Sequence, residues 1–483
     1  MEPVIDSTIL HRTAKYFMDN GRAETHDDAM ALLKRFGLTI HVGQELANSV
    51  HQQTALLTLV NVARRTLLGG IEIVGLPDAP SLCPLMPKGS LKEAVRGLGG
   101  RPVAEARRAW PSAVIGNAAV PTSKLPCWRL TWGGWRGGAI PVRDGRRLRE
   151  NEAIALAPLV AAAACAAEVF VYHAGDHLMA GRRTSGLSLW RPGADWLVDD
   201  ATESVLAFLP SRLWLIGLGN LGQAFAWTLA SLPYADRHEV QLILQDFDRM
   251  AVSNESTSLL AFVADIDRRK ARVVSEWMEA RGFDTYVNER RFGIWARRGE
   301  DEPGAALCGV DNALARASLG KPGFGLVVEA GLGAGPEAFR SLSVHTFPSS
   351  RSPEEIWARQ VGQADENVEN MPAYQALKRK GMDNCGLAQL ASRTVGVPFV
   401  GLIAACLVVS ELLRRLNGGG AFELVSGSVA ALDDIETVSM LCQPYAFGHL
   451  PAAKCDSSAA SLMSPPLLFV RPAEIQPRWH PTP

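Results

Sequence analysis

Residues 212–222 are Arg212-Leu-Trp-Leu-Ile-Gly217-Leu-Gly219-Asn-Leu-Gly222, an apolar run that ends in three glycines. We interpret the run as a short buried strand, and the segment from Gln223 to Ser231 that follows it has a helical pattern. Glycines spaced as Gly-x-Gly-x-x-Gly permit a tight turn between a strand and a helix, and the N-terminus of such a helix offers free backbone N–H groups to a phosphate. The stretch therefore predicts a strand, a tight turn and a helix.

The pattern continues as alternating strands and helices. A second strand is predicted over Val240 to Leu244, a helix over Arg268 to Arg281 and a third strand near Thr285 to Asn288. This alternation favours an α/β fold, Rossmann-like, with a parallel sheet between helices. Asp246 follows the second strand, where a carboxylate normally accepts hydrogen bonds from ribose hydroxyls.

Composition limits the classes of function. The 483 residues suggest two domains, and a net charge of -1 without long runs of one sign argues against nucleic-acid or anionic-membrane partners. None of the eight cysteines forms a C-x-x-C pair, so no zinc is expected, and a reducing cytoplasm fits best. The N-terminus does not resemble a secretory signal. The apolar segments Ile154 to Tyr172 and Val395 to Leu413 contain proline and glutamate, and we interpret them as buried core helices.

The first half of the chain repeats the strand pattern weakly. Strand candidates end at Gly43, Gly75 and Gly116, but no Gly-x-Gly-x-x-Gly accompanies them. We interpret this half as a degenerate and inactive copy of the second. The predicted domains are residues 1–195 for the degenerate copy and 205–483 for the active one, with residues 176–209 as the connection.

Motifs further along the chain distinguish between classes of nucleotide-binding enzyme. The chain continues with Asp246-Phe-Asp248, Ser253-Asn254, Lys270 and Asp311-Asn312, with an arginine shortly after. In this order and combination the set resembles the adenylation site of the ThiF/MoeB and ubiquitin-activating (E1-like) family. The resemblance covers roughly the second half of the chain.

The resemblance implies that ATP and Mg²⁺ bind in this half. Lys270 would supply a charge to the phosphates, Asp311 would hold Mg²⁺, Asp246 would fix the ribose and Asn254 would orient phosphate oxygens. Asp248 would support the loop or the metal. The glycine turn of Gly217, Gly219 and Gly222 would complete the site. Considered without the other motifs, Lys270 is also consistent with an ordinary solvent-exposed helix face, because arginines surround it in the sequence.

Further along the chain, a cysteine lies in a segment that also resembles this family. Cys385 precedes Gly396-Val-Pro398-Phe-Val-Gly401, as the family's catalytic cysteine precedes a similar segment. The resemblance implies that residues 348–395 carry a cysteine that receives the acyl group as a thioester. The alternative is an inert, partly buried thiol. The polar stretch from Pro348 to Asp383 is interpreted as a long loop or crossing segment.

One position departs from the family pattern. The family has an arginine shortly after the Ser-Asn pair, whereas this chain has Thr257. A phosphate contact is therefore missing or supplied elsewhere. The candidates are Arg268 or Arg269 nearby, and Arg12 or Arg22 from the first half, because related enzymes use an arginine of a partner subunit.

The leading functional prediction is ATP-dependent activation of the C-terminal carboxylate of a ubiquitin-like protein. Thioester formation on Cys385 and transfer to a conjugating partner would follow, and similar enzymes serve bacterial antiviral defence. Sulfur-carrier activation for thiamine or molybdopterin synthesis is the first alternative. An NAD-dependent oxidoreductase and an inactive binding scaffold are the others. The two halves would pair as an internal pseudo-dimer, or whole chains would form a homodimer.

Overall fold

The computed structural model describes residues 7–453, apart from residues 107–108, 151–152, 358–370, 384–385, 388–389, 392–394 and 442–444. These residues form two large β-sheets with associated helices, and residues up to Ala452 belong to one unit.

The first sheet has seven strands in the order β3-β2-β1-β4-β5-β6-β7. Its strands are β1 Gly37–Val42, β2 Gly70–Val74, β3 Gly100–Val103, β4 Ser112–Ile115, β5 Cys127–Gly133, β6 Arg136–Pro141 and β7 Ser185–Ser188. The five strands from β3 to β5 are parallel, and β6 and β7 are antiparallel to their neighbours. The helices of this half are α1 Ala14–Asp19, α2 His26–Leu33, α3 Val50–Ala63, α4 Leu91–Gly97 and α5 Ala157–Ala174.

The second sheet has eight strands in the order β11-β10-β9-β12-β13-β14-β15-β16. A short strand, β8 Phe208–Pro210, comes before it and pairs with β17 His449–Pro451. The sheet contains β9 Arg212–Ile216, β10 Gln241–Gln245, β11 Asp284–Asn288, β12 Ala305–Cys308, β13 Leu326–Leu332, β14 Ser341–Phe347, β15 Ala421–Ser428 and β16 Ala431–Met440. The α-helices of this half that the structure describes from end to end are α6 Asn220–Ser231, α7 Lys270–Glu279, α8 Ala313–Ala317, α9 Gly335–Ala338, α10 Pro353–Trp357, α11 Pro372–Arg379 and α12 Pro398–Leu416.

The two sheets share one topology. In the second, the five strands from β11 to β13 are parallel and β14 to β16 are antiparallel, which repeats the first sheet strand for strand and adds β16. The predicted α/β fold with a parallel, Rossmann-like core is therefore confirmed, and the shared strand order is what an internal repeat predicts.

The long apolar helices α5 and α12 lie inside the protein. Each packs against the helix that follows the first strand of its own large sheet, α3 after β1 or α6 after β9, and the two also pack against each other. Helix α5 is long and apolar enough to cross a membrane, but 89% of its apolar window is buried within the protein. Both segments are thus core helices, as the sequence predicts.

Two predicted connections contain regular structure. Strand β7 lies within residues 176–209, so the connection between the sheets is shorter than predicted. Helices α10 and α11 lie within the stretch from Pro348 to Asp383, which is therefore not a simple loop. One hydrophobic cluster includes residues of both halves, so the domain limits 1–195 and 205–483 stay a prediction.

An arginine paired with a buried glutamate links the first half to the second. Arg183 pairs with Glu168 of α5 at 2.6 Å, and the Glu168 side chain is 1% exposed. The same guanidinium also donates to the backbone carbonyl of Ala430, just after β15. The ion pair thus orients the Arg183 guanidinium so that it donates a hydrogen bond to the backbone of the second half.

The second half contains an equivalent arrangement. Arg414 of α12 pairs with Glu411 and donates to the backbone carbonyl of Leu189, just after β7. Strands β7 and β15 hold the same place in their two sheets. Each central helix therefore carries a glutamate whose arginine partner reaches the equivalent point of the opposite half.

Candidate functional site

The glycine turn forms as the sequence predicts between β9 and α6. Gly217 has a φ of +81°, a region that favours glycine. A Cβ atom at Gly222 would lie 1.9 Å from the carbonyl oxygen of Gly217, so only glycine fits there. Gly219 precedes the first residue of α6, and a Cβ atom there would meet nothing within 4 Å. The N-terminus of α6 is therefore open to a ligand from outside.

Asp246 is bonded directly to this turn. One carboxylate oxygen accepts the N–H of Leu218 at 2.6 Å, and the other accepts the N–H of Asp248 at 2.8 Å. The residue is 8% exposed, and burial raises the pKa of its carboxyl group, while the nearby Lys270 opposes that shift. Each oxygen retains acceptor capacity, which suits hydrogen bonds from two ribose hydroxyls.

Lys270 faces the interior and not a solvated helix surface. It is the first residue of α7, is 9% exposed, and its Nζ atom lies 2.9 Å from Oδ2 of Asp248. The neighbouring Arg268 and Arg272 point outward to surface glutamates. The ammonium group thus lies beside the Asp246 loop, and incoming phosphate oxygens would compete with Asp248 for it.

Asn254 lies in a short 3-10 helix, Val252–Ser256. Its side-chain oxygen accepts the N–H of Ala251 at 2.8 Å. With the oxygen engaged, the amide nitrogen is the group that remains to act on a ligand, and it is a donor. This is the polarity that a phosphate oxygen requires.

Arg12 of the first half lies beside Thr257, the position where the resemblance predicts an arginine. The backbone N–H of Arg12 donates to the hydroxyl of Ser256 at 3.1 Å. A Cβ atom at Gly396 would lie 2.4 Å from the Thr257 methyl group and 3.3 Å from Cβ of Arg12. The three residues therefore converge at one point.

The other candidate arginines are engaged elsewhere. Arg22 donates to the carbonyl of Ala174 at the end of α5 and lies 5.2 Å from the Phe17 ring. Arg268 binds Glu276, and Arg269 donates to the carbonyl of Phe247. Of the four arginines that the sequence suggests, Arg12 alone has a described contact with residues 256–257.

Asp311 follows β12 and is exposed. Its loop touches the glycine turn, because a Cβ atom at Gly217 would lie 2.7 Å from Cγ1 of Val310. A Cβ atom at Gly309 would likewise lie 3.1 Å from the backbone nitrogen of Gly222. The structure therefore brings Asp311 to the same edge of the sheet as Asp246 and the turn.

Cys385 lies outside the described residues. Helix α11 ends at Arg379, and the N–H of Gly386, the residue after Cys385, donates to the Asp383 carboxylate at 2.7 Å. The roles assigned to Cys385 and to residues 348–395 stay predictions.

In the first half, a glutamate side chain occupies the place that corresponds to the glycine turn. Glu45 follows β1, and its carboxylate accepts the N–H of Asn117, which follows β4. A Cβ atom at Gly43 would lie 2.4 Å from an oxygen of this carboxylate. In the second half the equivalent strands, β9 and β12, enclose the glycine turn. A carboxylate here opposes the entry of a phosphate by charge and by volume.

Two residues near the site were not found from the sequence. Gln223 of α6 and Arg65 of the first half are polar side chains in apolar surroundings, fully buried or nearly so. Their polarity within apolar segments is the one signal that the sequence offers.

Comparison with known proteins identifies the family. The sequence matches the BilD N-terminal domain over residues 37–189 and the BilD C-terminal domain over residues 209–419. It is 62% identical over 452 residues to a protein of Collimonas sp. (strain OK412) described as "Bacterial E1-like protein BilD". That alignment covers 94% of this chain and 98% of the relative.

The chain belongs to the BilD family. The predicted E1-like resemblance is thereby confirmed at the level of the family, since the BilD relative is described as E1-like.

Among solved structures, crystal structures of E. coli MccB resemble the chain weakly. One with succinimide has a TM-score of 0.32 at 10% identity and covers 48% of this chain and 64% of that chain. One with ATP has a TM-score of 0.30 at 11% identity, with the same coverage of both chains. The family assignment rests on BilD.

Proposed function

We propose that the second half binds ATP with Mg²⁺ and adenylates the C-terminal carboxylate of a ubiquitin-like protein. The observation that supports this most is the convergence of Asp246, the Lys270–Asp248 pair and Asp311 on one glycine turn. The description of the BilD relative as E1-like supports it independently.

Each side chain has a chemical task in this reaction. The open N-terminus of α6 would bind phosphate, and Asp246 would accept hydrogen bonds from the ribose. Lys270 would leave Asp248 to stabilise the charge that develops on the α-phosphate and pyrophosphate. Asp311 would supply an oxygen ligand to Mg²⁺, which proteins commonly hold through one or two carboxylates and the phosphates themselves.

Arg12 would supply the positive charge that Thr257 lacks. Its backbone is anchored to the 3-10 helix of Asn254. The first half would then be inactive as an enzyme, because Glu45 occupies the place that corresponds to the glycine turn. Its N-terminal segment, which contains Arg12, would complete the site of the second half.

The later steps extend the proposal by family resemblance. The thiolate of Cys385 would attack the acyl carbon of the adenylate, forming a thioester as AMP leaves with the electrons of the broken C–O bond. A conjugating enzyme would then receive the acyl group. Activation of a sulfur carrier shares the adenylation step and differs in the identity of the protein substrate.

ATP–pyrophosphate exchange tests the first step. Wild-type protein with Mg²⁺ and a panel of ubiquitin-like and sulfur-carrier proteins should catalyse exchange that depends on one of them. Cys385→Ala should retain exchange and lose the thioester adduct. If no protein supports exchange, ATP affinity of wild type and Asp311→Ala decides: equal, undetectable binding would indicate a scaffold, and NADH binding would indicate an oxidoreductase.

A further inference from the structure

Residues 253–261, named here the 253–261 loop, contain Asn254 and Thr257 and are held from two sides. On one side lies Gln223 of α6, which is fully buried. Its side-chain oxygen accepts the N–H of Leu260 at 2.8 Å, and its nitrogen donates to the carbonyl of Leu218 at 3.0 Å. Since Leu218 belongs to the glycine turn, Gln223 joins the loop to that turn.

On the other side lies Arg65 of the first half, two residues beyond α3. It is 2% exposed. Its guanidinium donates to three backbone carbonyls of the loop, those of Glu255 at 2.5 Å, Leu259 at 2.8 Å and Ala261 at 3.1 Å. Asn61 of α3 supports it by accepting from Arg65 at 3.0 Å and donating to Leu259 at 3.1 Å.

The charge of Arg65 is balanced by dipoles. Its described hydrogen-bond partners are carbonyl oxygens, while the carboxylate of Glu255 lies 3.5 Å from the neighbouring Arg64. A charge buried in this way contributes little stability compared with an apolar side chain of similar volume. Several donors in one rigid fork do, however, impose one geometry on the carbonyls that they bind. The contact is therefore better explained by the loop shape that it enforces.

We propose that Arg65 is a positioning residue for the nucleotide site of the opposite half. By fixing the 253–261 loop it sets where Asn254 and the Arg12–Thr257 pair stand relative to the glycine turn. This inference rests on the proposed function, since it assigns the loop to a nucleotide site. The first half then contributes the Arg12 side chain to the site, and its Arg65 side chain keeps the 253–261 loop rigid.

A matched control is available in Arg281. It lies just after α7, next to the start of β11 and thus at the sheet edge away from the glycine turn. It too joins the halves through a carbonyl, donating to Leu85 of the first half at 2.9 and 2.7 Å. Arg65→Met and Arg281→Met therefore remove the same kind of contact at opposite edges. Arg65→Lys keeps the charge and loses the fork.

The experiment compares ATP affinity by calorimetry, amide hydrogen exchange of the 253–261 loop without nucleotide, and the melting temperature. Arg65→Met should accelerate exchange in the loop and weaken ATP binding about tenfold or more, since it leaves buried carbonyls unpaired. Arg65→Lys should fall between it and wild type. Arg281→Met should lower the melting temperature comparably, with loop exchange and ATP affinity close to wild type.

Other results would overturn the inference. If both methionine variants weaken ATP binding equally, or if Arg65→Met leaves the loop amides as protected as in wild type, Arg65 is structural only. If Arg65→Met does not fold, Arg65→Lys and Asn61→Ala are judged by the same comparison with Arg281→Met. A wild type that binds no ATP would overturn the proposed function as well, whereas wild-type binding with an unaffected Arg65→Met overturns this inference alone.

Discussion

At the scale of single residues, the candidate site depends on charges that ion pairs and hydrogen bonds of the chain itself hold in place. Lys270 is paired with Asp248 at 2.9 Å and nearly buried, so its ammonium is fixed beside the loop of Asp246 and Asp248. A charge fixed in this way stabilises a transition state more strongly than a mobile, solvated charge, because it need not be reorganised during the reaction.

Lys270→Ala should therefore lower ATP–pyrophosphate exchange by about a hundredfold or more, because the charge opposite the phosphates is lost and Asp248 remains as a repelling carboxylate. Lys321→Ala is the control, since Lys321 forms an exposed ion pair with Glu354 at 3.4 Å. Exchange rates at saturating ATP provide the measurement. Equal rates for the two variants would remove Lys270 from the site.

Arg12 and Arg22 provide a second comparison. Arg12→Ala should lower the exchange rate about tenfold to a hundredfold through loss of a cation at the phosphates, whereas Arg22→Ala should stay near wild type. The reason is their placement, beside Thr257 for Arg12 and at the end of α5 for Arg22. A loss of activity in Arg22→Ala alone would reverse this assignment.

The sequence suggested the residues of this candidate site more readily than the residues that surround them. Asp246 and Lys270 stand in short motifs whose order along the chain carries the signal. Arg65 and Gln223 could not be found in that way, because Arg65 meets a loop 190 to 196 residues further along the chain. Only the packing of the two halves brings them together.

At the scale of elements, strands next to glycine motifs or within apolar runs were predictable. Strands β9, β10 and β11 all begin within one residue of their predicted positions. Strand β12 has only four residues, and β16 carries polar residues on an exposed edge, so neither has a distinct periodicity. Helices α10 and α11 were missed because their five and eight residues lie in a polar stretch.

Helix α5 carries a buried charge that should have a measurable cost. Arg183→Met leaves Glu168 buried and unpaired, so the free energy of unfolding should fall by about 3–5 kcal/mol. The double variant Glu168→Met with Arg183→Met removes the stranded charge and should recover most of that loss. Denaturant titration measures both. A double variant less stable than Arg183→Met would show that the ion pair itself, and not its disruption, determines stability.

At the scale of the whole molecule, the two halves share one hydrophobic cluster that runs through α5 and α12. Neither half can expose its side of that cluster to water without losing much of its own core. The chain should therefore unfold in one transition, with calorimetric and van't Hoff enthalpies that agree. Scanning calorimetry of the full chain tests this. Two resolved transitions would mean that the halves are independent domains.

Four of the arginines that cross between the halves bind backbone carbonyls, at Ala430, Leu189, Leu85 and in the 253–261 loop. Two others, Arg64 and Arg340, pair with carboxylates of the opposite half. A carbonyl is present whatever side chain occupies a position, so this form of recognition is indifferent to substitution on the accepting side. These four contacts can therefore persist while the accepting positions change in sequence, whereas the shared hydrophobic cluster still requires side chains that fit each other. In a hybrid that combines the first half of one relative with the second half of another, these four hydrogen bonds should form unchanged, and the fit of α5 against α12 should decide whether the halves assemble.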